Sequence, residues 1–206
     1  MFKVLLRPFS YLTISHPDRV HFWVNWGFPI AVAVVTGGAW LLPSLLDYLG
    51  YIKPNPTDIW SGSGFISKIQ SFVQNLPGFY TAALAAVATF GGKEMLRPMS
   101  GNPPKMRFLI EGALTDKLEL NRRLFLAVMF AYLTMLSFLL TIGAALALTL
   151  APAIKAALIP ALIPWFSALA TSIYILFFVQ LLTVTAWGLY YLGEKMHLSD
   201  GADATG

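Results

Sequence analysis

The sequence predicts an all-α polytopic membrane protein, with four transmembrane helices, an interfacial helix before the second span and a short helical cytoplasmic loop. Three observations predict it. Of 206 residues, 57% are hydrophobic and 12% charged, about half the charge of an average soluble domain, so polar groups are too few to cover a globule of this size. Four long stretches carry no charged side chain. The basic residues between those stretches fall overwhelmingly on one side. The whole chain, 1–206, reads as a single membrane domain. It has no cysteine, which removes disulfides, thiolate nucleophiles and Cys-ligated metals from consideration.

A crossing helix needs about 20 apolar residues to traverse about 30 Å of hydrocarbon with every backbone group satisfied internally. The first span is predicted at about 23–46, after His16-Pro17-Asp18, where proline and an acidic residue suit a first helical turn. Pro29 and Pro43, with Gly37-Gly38 between them, predict a kink. The second, at about 77–92, is short. It is preceded by Phe65, Ile66, Ile69, Phe72, Val73 and Leu76 on one helical face, with Ser67, Lys68, Gln70, Ser71 and Gln74 opposite, the pattern of a helix lying at the interface. The third runs at about 124–151 and the fourth at about 165–192, entered through Pro164.

Eleven basic residues precede the first span, follow the last or lie in the 93–123 loop, against three (Lys53, Lys68 and Lys155) on the other side. The positive-inside rule therefore places both termini and that loop in the cytoplasm, in a multi-pass protein of the cell inner membrane. The start is read as uncleaved, because Pro8, Ser15, His16 and Pro17 interrupt any signal-like apolar run. Phe2, Leu5, Leu6, Phe9 and Leu12 beside Lys3 and Arg7 read as a basic amphipathic anchor on the inner leaflet, the other reading being a tail packed on the protein's own helices.

No catalytic motif, nucleotide-binding loop or metal-ligand spacing is present. The expectation is a non-enzyme with no cofactor and no metal; His16, His21 and His197 sit at membrane boundaries, where water and headgroups satisfy them. The spans hold no Asp, Glu, Lys, Arg or His at their centres, which argues against a carboxylate-based proton or sodium carrier. Gln180, with Thr183 one turn on, is read as interhelical hydrogen bonding or a pore lining in an oligomer. Gly37 and Gly143 belong to small-residue repeats at four-residue spacing (Ala33–Gly37, Ala82–Ala86, Gly143–Ala147) that permit close helix approach, within the chain or in a homo-oligomer.

The loop carries a formal +3. Thr115-Asp116 reads as an N-cap for a helix through Arg122-Arg123 into the third span. Arg97, Lys105, Arg107, Arg122 and Arg123 are the candidate contacts for membrane lipids or a cytoplasmic protein partner; without interleaved aromatics the loop offers nucleic acid no stacking platform. This layout, an amphipathic start at Met1 to Leu12, four spans and a basic helix feeding the third, resembles the small four-span membrane components of bacterial antiphage systems of the retron, cyclic-oligonucleotide and Kiwa types. The resemblance covers layout alone. It implies antiviral defence by an effector or sensor that permeabilises the inner membrane when a cytoplasmic partner triggers it; the alternative is an accessory or assembly subunit of a larger membrane complex.

Overall fold

A computed structural model describes residues 7–14, 20–51, 59–89, 104–106, 109–110, 113–114, 118–190 and 192. The chain is all-helical apart from short ladders. A 3-10 helix (Arg7–Thr13) comes first. Then α1 (Val20–Phe22) passes through a π-helical turn (Trp23–Gly27) into α2 (Phe28–Tyr48). Next are α3 (Phe65–Val73) and α4 (Leu76–Thr89), followed by four two-residue strands, β1 (Lys105–Met106), β2 (Leu109–Ile110), β3 (Ala113–Leu114) and β4 (Leu118–Glu119). Helix α5 (Arg122–Ala157), a 3-10 turn (Pro160–Leu162) and α6 (Ile163–Tyr190) complete the order.

Three helices are long and apolar enough to cross a membrane: Trp23–Tyr48, Arg122–Ala157 and Pro160–Tyr190. They match the first, third and fourth predicted spans. Helix α4 has 14 residues, about 21 Å, shorter than the hydrocarbon layer on its described length. Aromatic rings lie exposed towards both ends of two of the long helices, Trp23 with Tyr48 and Tyr51, and Trp165 with Tyr190, as boundary anchors do. Four hydroxyls inside the apolar helices are silenced on their own helix: Thr36, Thr134, Thr141 and Ser172 each donate to the carbonyl four residues back, all at 2.8 Å.

Contacts divide the chain into two compact units. The first comprises Met1–Asn25, Gly78–Met135 and Thr183–Gly206; the second, Trp26–Pro77 and Leu136–Leu182. The core of the first is the α5 face bearing Phe125, Leu126, Met129, Tyr132 and Leu133, together with Tyr11, Tyr80 and Val184. The second buries Leu136, Leu140, Ala144 and Ala151 of α5 with Ile66, Ile69 and Val73 of α3. Helix α3 thus forms where its period demanded, but Phe65 and Phe72 of the six-residue stripe stay exposed while Ile66, Ile69 and Val73 are buried and Leu76, the first residue of α4, is half-buried. Half of the most apolar window of α5 is buried, against 17% for the first long helix, which makes α5 the helix around which both cores are built.

The predicted helical loop is corrected. Its described residues pair as antiparallel strands, β1 with β4 (Lys105↔Glu119, Met106↔Leu118) and β2 with β3 (Leu109↔Leu114, Ile110↔Ala113). Lys105-Met106-Arg107-Phe108 alternates polar and apolar side chains, a period of two that suits a strand and cannot give a helix one apolar stripe. The proposed cap at Thr115-Asp116 lies outside the described residues, and α5 starts later, at Arg122. Its cap is Asn121, whose Oδ1 accepts the Leu124 N–H at 2.8 Å, satisfying one of the four orphan donors of a helix start.

Of the three small-residue repeats, Ala33–Gly37 is buried, whereas Ala82, Ala86 and Gly143 are exposed. A Cβ at Gly37 would stand 2.0 Å from Ser172 Oγ and 3.4 Å from Ser172 Cβ; at Gly38 or Gly143 it would meet nothing. Gly37→Ala should therefore cost about 1–3 kcal/mol by overpacking while Gly38→Ala costs much less. Adding Ser172→Ala should recover most of the loss. Thermal unfolding in detergent checks this; equal effects at Gly37 and Gly38 would remove the close approach of α2 and α6.

Candidate functional site

The π-helical turn sits just ahead of Pro29, and the proline explains it. Without an N–H, Pro29 can donate neither to Asn25, four residues back, nor to Val24, five back, and its ring crowds a regular helical turn. The ladder widens there. The carbonyl of Val24 is taken instead by Thr183 Oγ1 of α6, at 2.9 Å. Thr183 was singled out by sequence as a packing or pore residue, and this bond is packing: a side-chain hydroxyl on one helix completes the backbone of another.

The same turn organises a buried aromatic and polar cluster. Asn25 is 1% exposed; its Nδ2 donates to the His21 carbonyl at 2.9 Å and lies 3.2 Å from the His21 ring nitrogens. Tyr11, fully buried, lies 5.5 Å from the His21 ring and stacks on Tyr132 of α5 at 5.0 Å, while Phe9 meets Tyr132 edge-on at 5.9 Å. Residues 7–14 are thus packed on the first unit's helices, which corrects the anchor reading for that segment. Ring contacts of Phe9 and Tyr11 with Tyr132 add to the burial that holds the segment there. Residues 1–6 lie outside the described residues.

Tyr11 Oη and Asn25 Oδ1 are each buried with no hydrogen-bond partner among the described residues. Burial pushes the Tyr11 phenol up from its ordinary range; Asn25 stands near enough to offset part of that rise without meeting hydrogen-bond geometry. Sequence reasoning missed both Tyr11 and Asn25. A Tyr between Ser10 and Leu12 carries no periodic signal, and the asparagine inside an apolar run was the one signal that could have drawn notice.

The basic candidates fare differently from one another. Arg97 and Arg107 lie outside the described residues. Lys105 is exposed and pairs with Glu119 across the β1–β4 ladder at 3.3 Å, a surface ion pair worth at most about 1 kcal/mol. Arg122 is 6% exposed. Arg123 donates from its guanidinium to the Ala88 carbonyl, in the last described turn of α4. Gln180 is fully buried in the second unit, as is Ser137, and Thr171 nearly so. A contact the sequence did not suggest is Gly188, where a Cβ would stand 2.4 Å from Met129 Cε. Among the described residues no group of three or more His, Asp or Glu could hold a metal.

No protein-family model, no curated protein and no solved structure matches this chain.

Removing the Thr183 hydroxyl leaves the Val24 carbonyl unpaired, so Thr183→Val should cost about 1–3 kcal/mol. In that background Pro29→Ala supplies an N–H and should cost less than it does alone. A double-mutant cycle on unfolding measures the coupling; additivity would show that Thr183 does not serve the proline's missing bond. At Tyr11, Phe should be near neutral and Ala should cost about 3–5 kcal/mol, because the ring and not the hydroxyl holds the segment. The raised phenol contributes stability below its unfolded value of about 10 and loses it as pH climbs towards the folded value. A spin label at Ser10→Cys should therefore gain mobility at alkaline pH in the wild type, and resist in Tyr11→Phe.

Proposed function

We propose that the chain is a non-enzymatic membrane effector or sensor, gated from the cytoplasm, that permeabilises the inner membrane when a partner protein engages residues 93–123. The observation that supports it best is the splice between that segment and α5. Strand β4 passes through Leu120, fully buried and bonded by its N–H to the Pro104 carbonyl at 3.0 Å, straight into the Asn121 cap of α5. No flexible linker intervenes, so a force on the ladder acts on the most buried helix of the chain.

In this reading the protein has four spans. The second, at about 77–92, contains α4 and is short enough to thin the bilayer locally; its residues 90–92 lie outside the described residues, and α3 lies at the outer interface before it. Both termini and the central segment face the cytoplasm. The exposed small-residue faces of α4 and α5, at Ala82, Ala86 and Gly143, suit a homo-oligomer. The accessory-subunit reading uses the same exposed faces for a different subunit.

Labelling of Ser61→Cys but not Ser100→Cys from outside intact cells is the expected topology, and the reverse pattern would overturn it. Charge reversal at Arg97, Lys105 and Arg107 together should abolish membrane depolarisation while leaving insertion intact. Lys105→Glu with Glu119→Lys keeps the ladder pair and should still impair gating if a partner reads that charge. Full activity in the triple variant would remove the gating role; no depolarisation by wild type under any stress tried would favour the accessory subunit.

A further inference from the structure

Helix α3 enters from the outer interface upright, along α6, and does not lie flat. Trp60, just before α3, lines one apolar cavity with Phe166 and Ala170 in the first turns of α6, and Phe72, in the last turn of α3, meets Phe178 edge-on at 6.3 Å. The two segments therefore advance inward together. Helix α6 has 28 residues, about 42 Å, of which the hydrocarbon covers about 30 Å, so Phe178, near the middle, is inside the hydrocarbon wherever α6 is placed as a span. The last turn of α3 lies there with it.

What α3 turns outward at that depth is polar. Ile66, Ile69 and Val73 are buried against the protein, whereas Lys68, Ser71, Gln74 and Asn75, turned away from them, are exposed in a single copy. A lysine can snorkel its ammonium back towards the headgroups. Gln74 and Asn75, about 9 Å or more further along the helical rise, are too short to do so, and an amide that faces lipid loses its hydrogen bonds to water without replacement. Polar side chains at such a depth face a bundle interior or a water-filled cavity. Charge says which. Lys68 is the one charged residue of α3, with no carboxylate on the helix to oppose it, and a ring of lysines around a lumen is the arrangement of an anion pore.

We infer that copies of this chain assemble with the polar face of α3 lining the outer half of a water-filled path, and that Lys68 makes the path prefer small anions. This rests on the permeabilising reading above and on α6 being a span. The full chain, which has no cysteine of its own, is reconstituted in phosphatidylcholine vesicles under a potassium chloride gradient. Wild-type current should reverse on the chloride side of zero; Lys68→Gln should lose that preference and Lys68→Glu should turn it to potassium. Spin labels at Ser71→Cys, Gln74→Cys and Asn75→Cys should collide with a water-soluble nickel complex and broaden one another between copies, the broadening fading on dilution with unlabelled chain. A label at Phe65→Cys, beside the polar face, should meet oxygen dissolved in lipid instead. Wet, mutually broadened labels without current keep the lining and place a closed gate elsewhere along the path. Current whose selectivity ignores Lys68→Glu, or labels at Gln74 and Asn75 that are wet without broadening, overturn the lining and spare the permeabilising reading. Dry labels with current do the same, and dry labels without current overturn both.

Discussion

A backbone carbonyl that loses its donor inside an apolar helix has no water to turn to, and that constraint shapes the first long helix of this protein. Pro29 withholds an N–H from Val24 and Asn25, the helix opens into a π turn, and α6 supplies a hydroxyl where the ladder cannot. The bond does more than repair. It ties Thr183 to one position along the first long helix, a directional contact that adds to the close packing of Gly37 on Ser172 between the same two helices. The widened turn is also where Asn25 sits, directing its amide back to His21 and offering, with His21, the surroundings in which Tyr11 is buried.

A second consequence follows for the charged residues. In a membrane protein Arg and Lys are first counted as topology signals, but here each described one near the start of α5 has intramolecular surroundings as well. Arg123 bonds a backbone carbonyl in the last described turn of α4, and Lys105 bridges a ladder. A guanidinium bonded to a neighbouring helix's backbone holds the start of its own helix in place by geometry as well as by attraction to anionic lipid, and geometry is not screened by salt.

What was legible in the sequence was set by what lipid demands of a chain. The long spans could be read because Leu124 to Ala151 and Trp165 to Leu192 contain no charge, and nothing else satisfies so long an uncharged run. The central segment was misread because Thr115-Asp116 carries a cap signature while the competing evidence, alternation over Lys105 to Phe108 and Glu111-Gly112 between two apolar pairs, is only two residues deep at each strand. The small-residue repeats show why spacing underdetermines packing. Ala33–Gly37 and Gly143–Ala147 look alike in one dimension, yet a Cβ at Gly37 would meet Ser172 of α6 while one at Gly143 would meet nothing within 4 Å among the described residues, because spacing names a face without naming what lies across it. Arg122 and Arg123 illustrate the same gap for charge: the positive-inside argument weighs them by number, whereas the structure buries one and bonds the other to a carbonyl.

The nested ladders bear on the order of events during synthesis. Lys105 pairs with Glu119, 14 residues on, and Leu109 with Leu114, 5 residues on, so every strand partner is local in sequence, and closures this local form in microseconds. The ladder can be complete, with Asn121 in position, before most of α5 has left the ribosome. Helix α5 would then be threaded from a finished start, its first turn already capped, and its depth measured outward from a fixed point instead of being found by trial along an uncharged run longer than the bilayer requires.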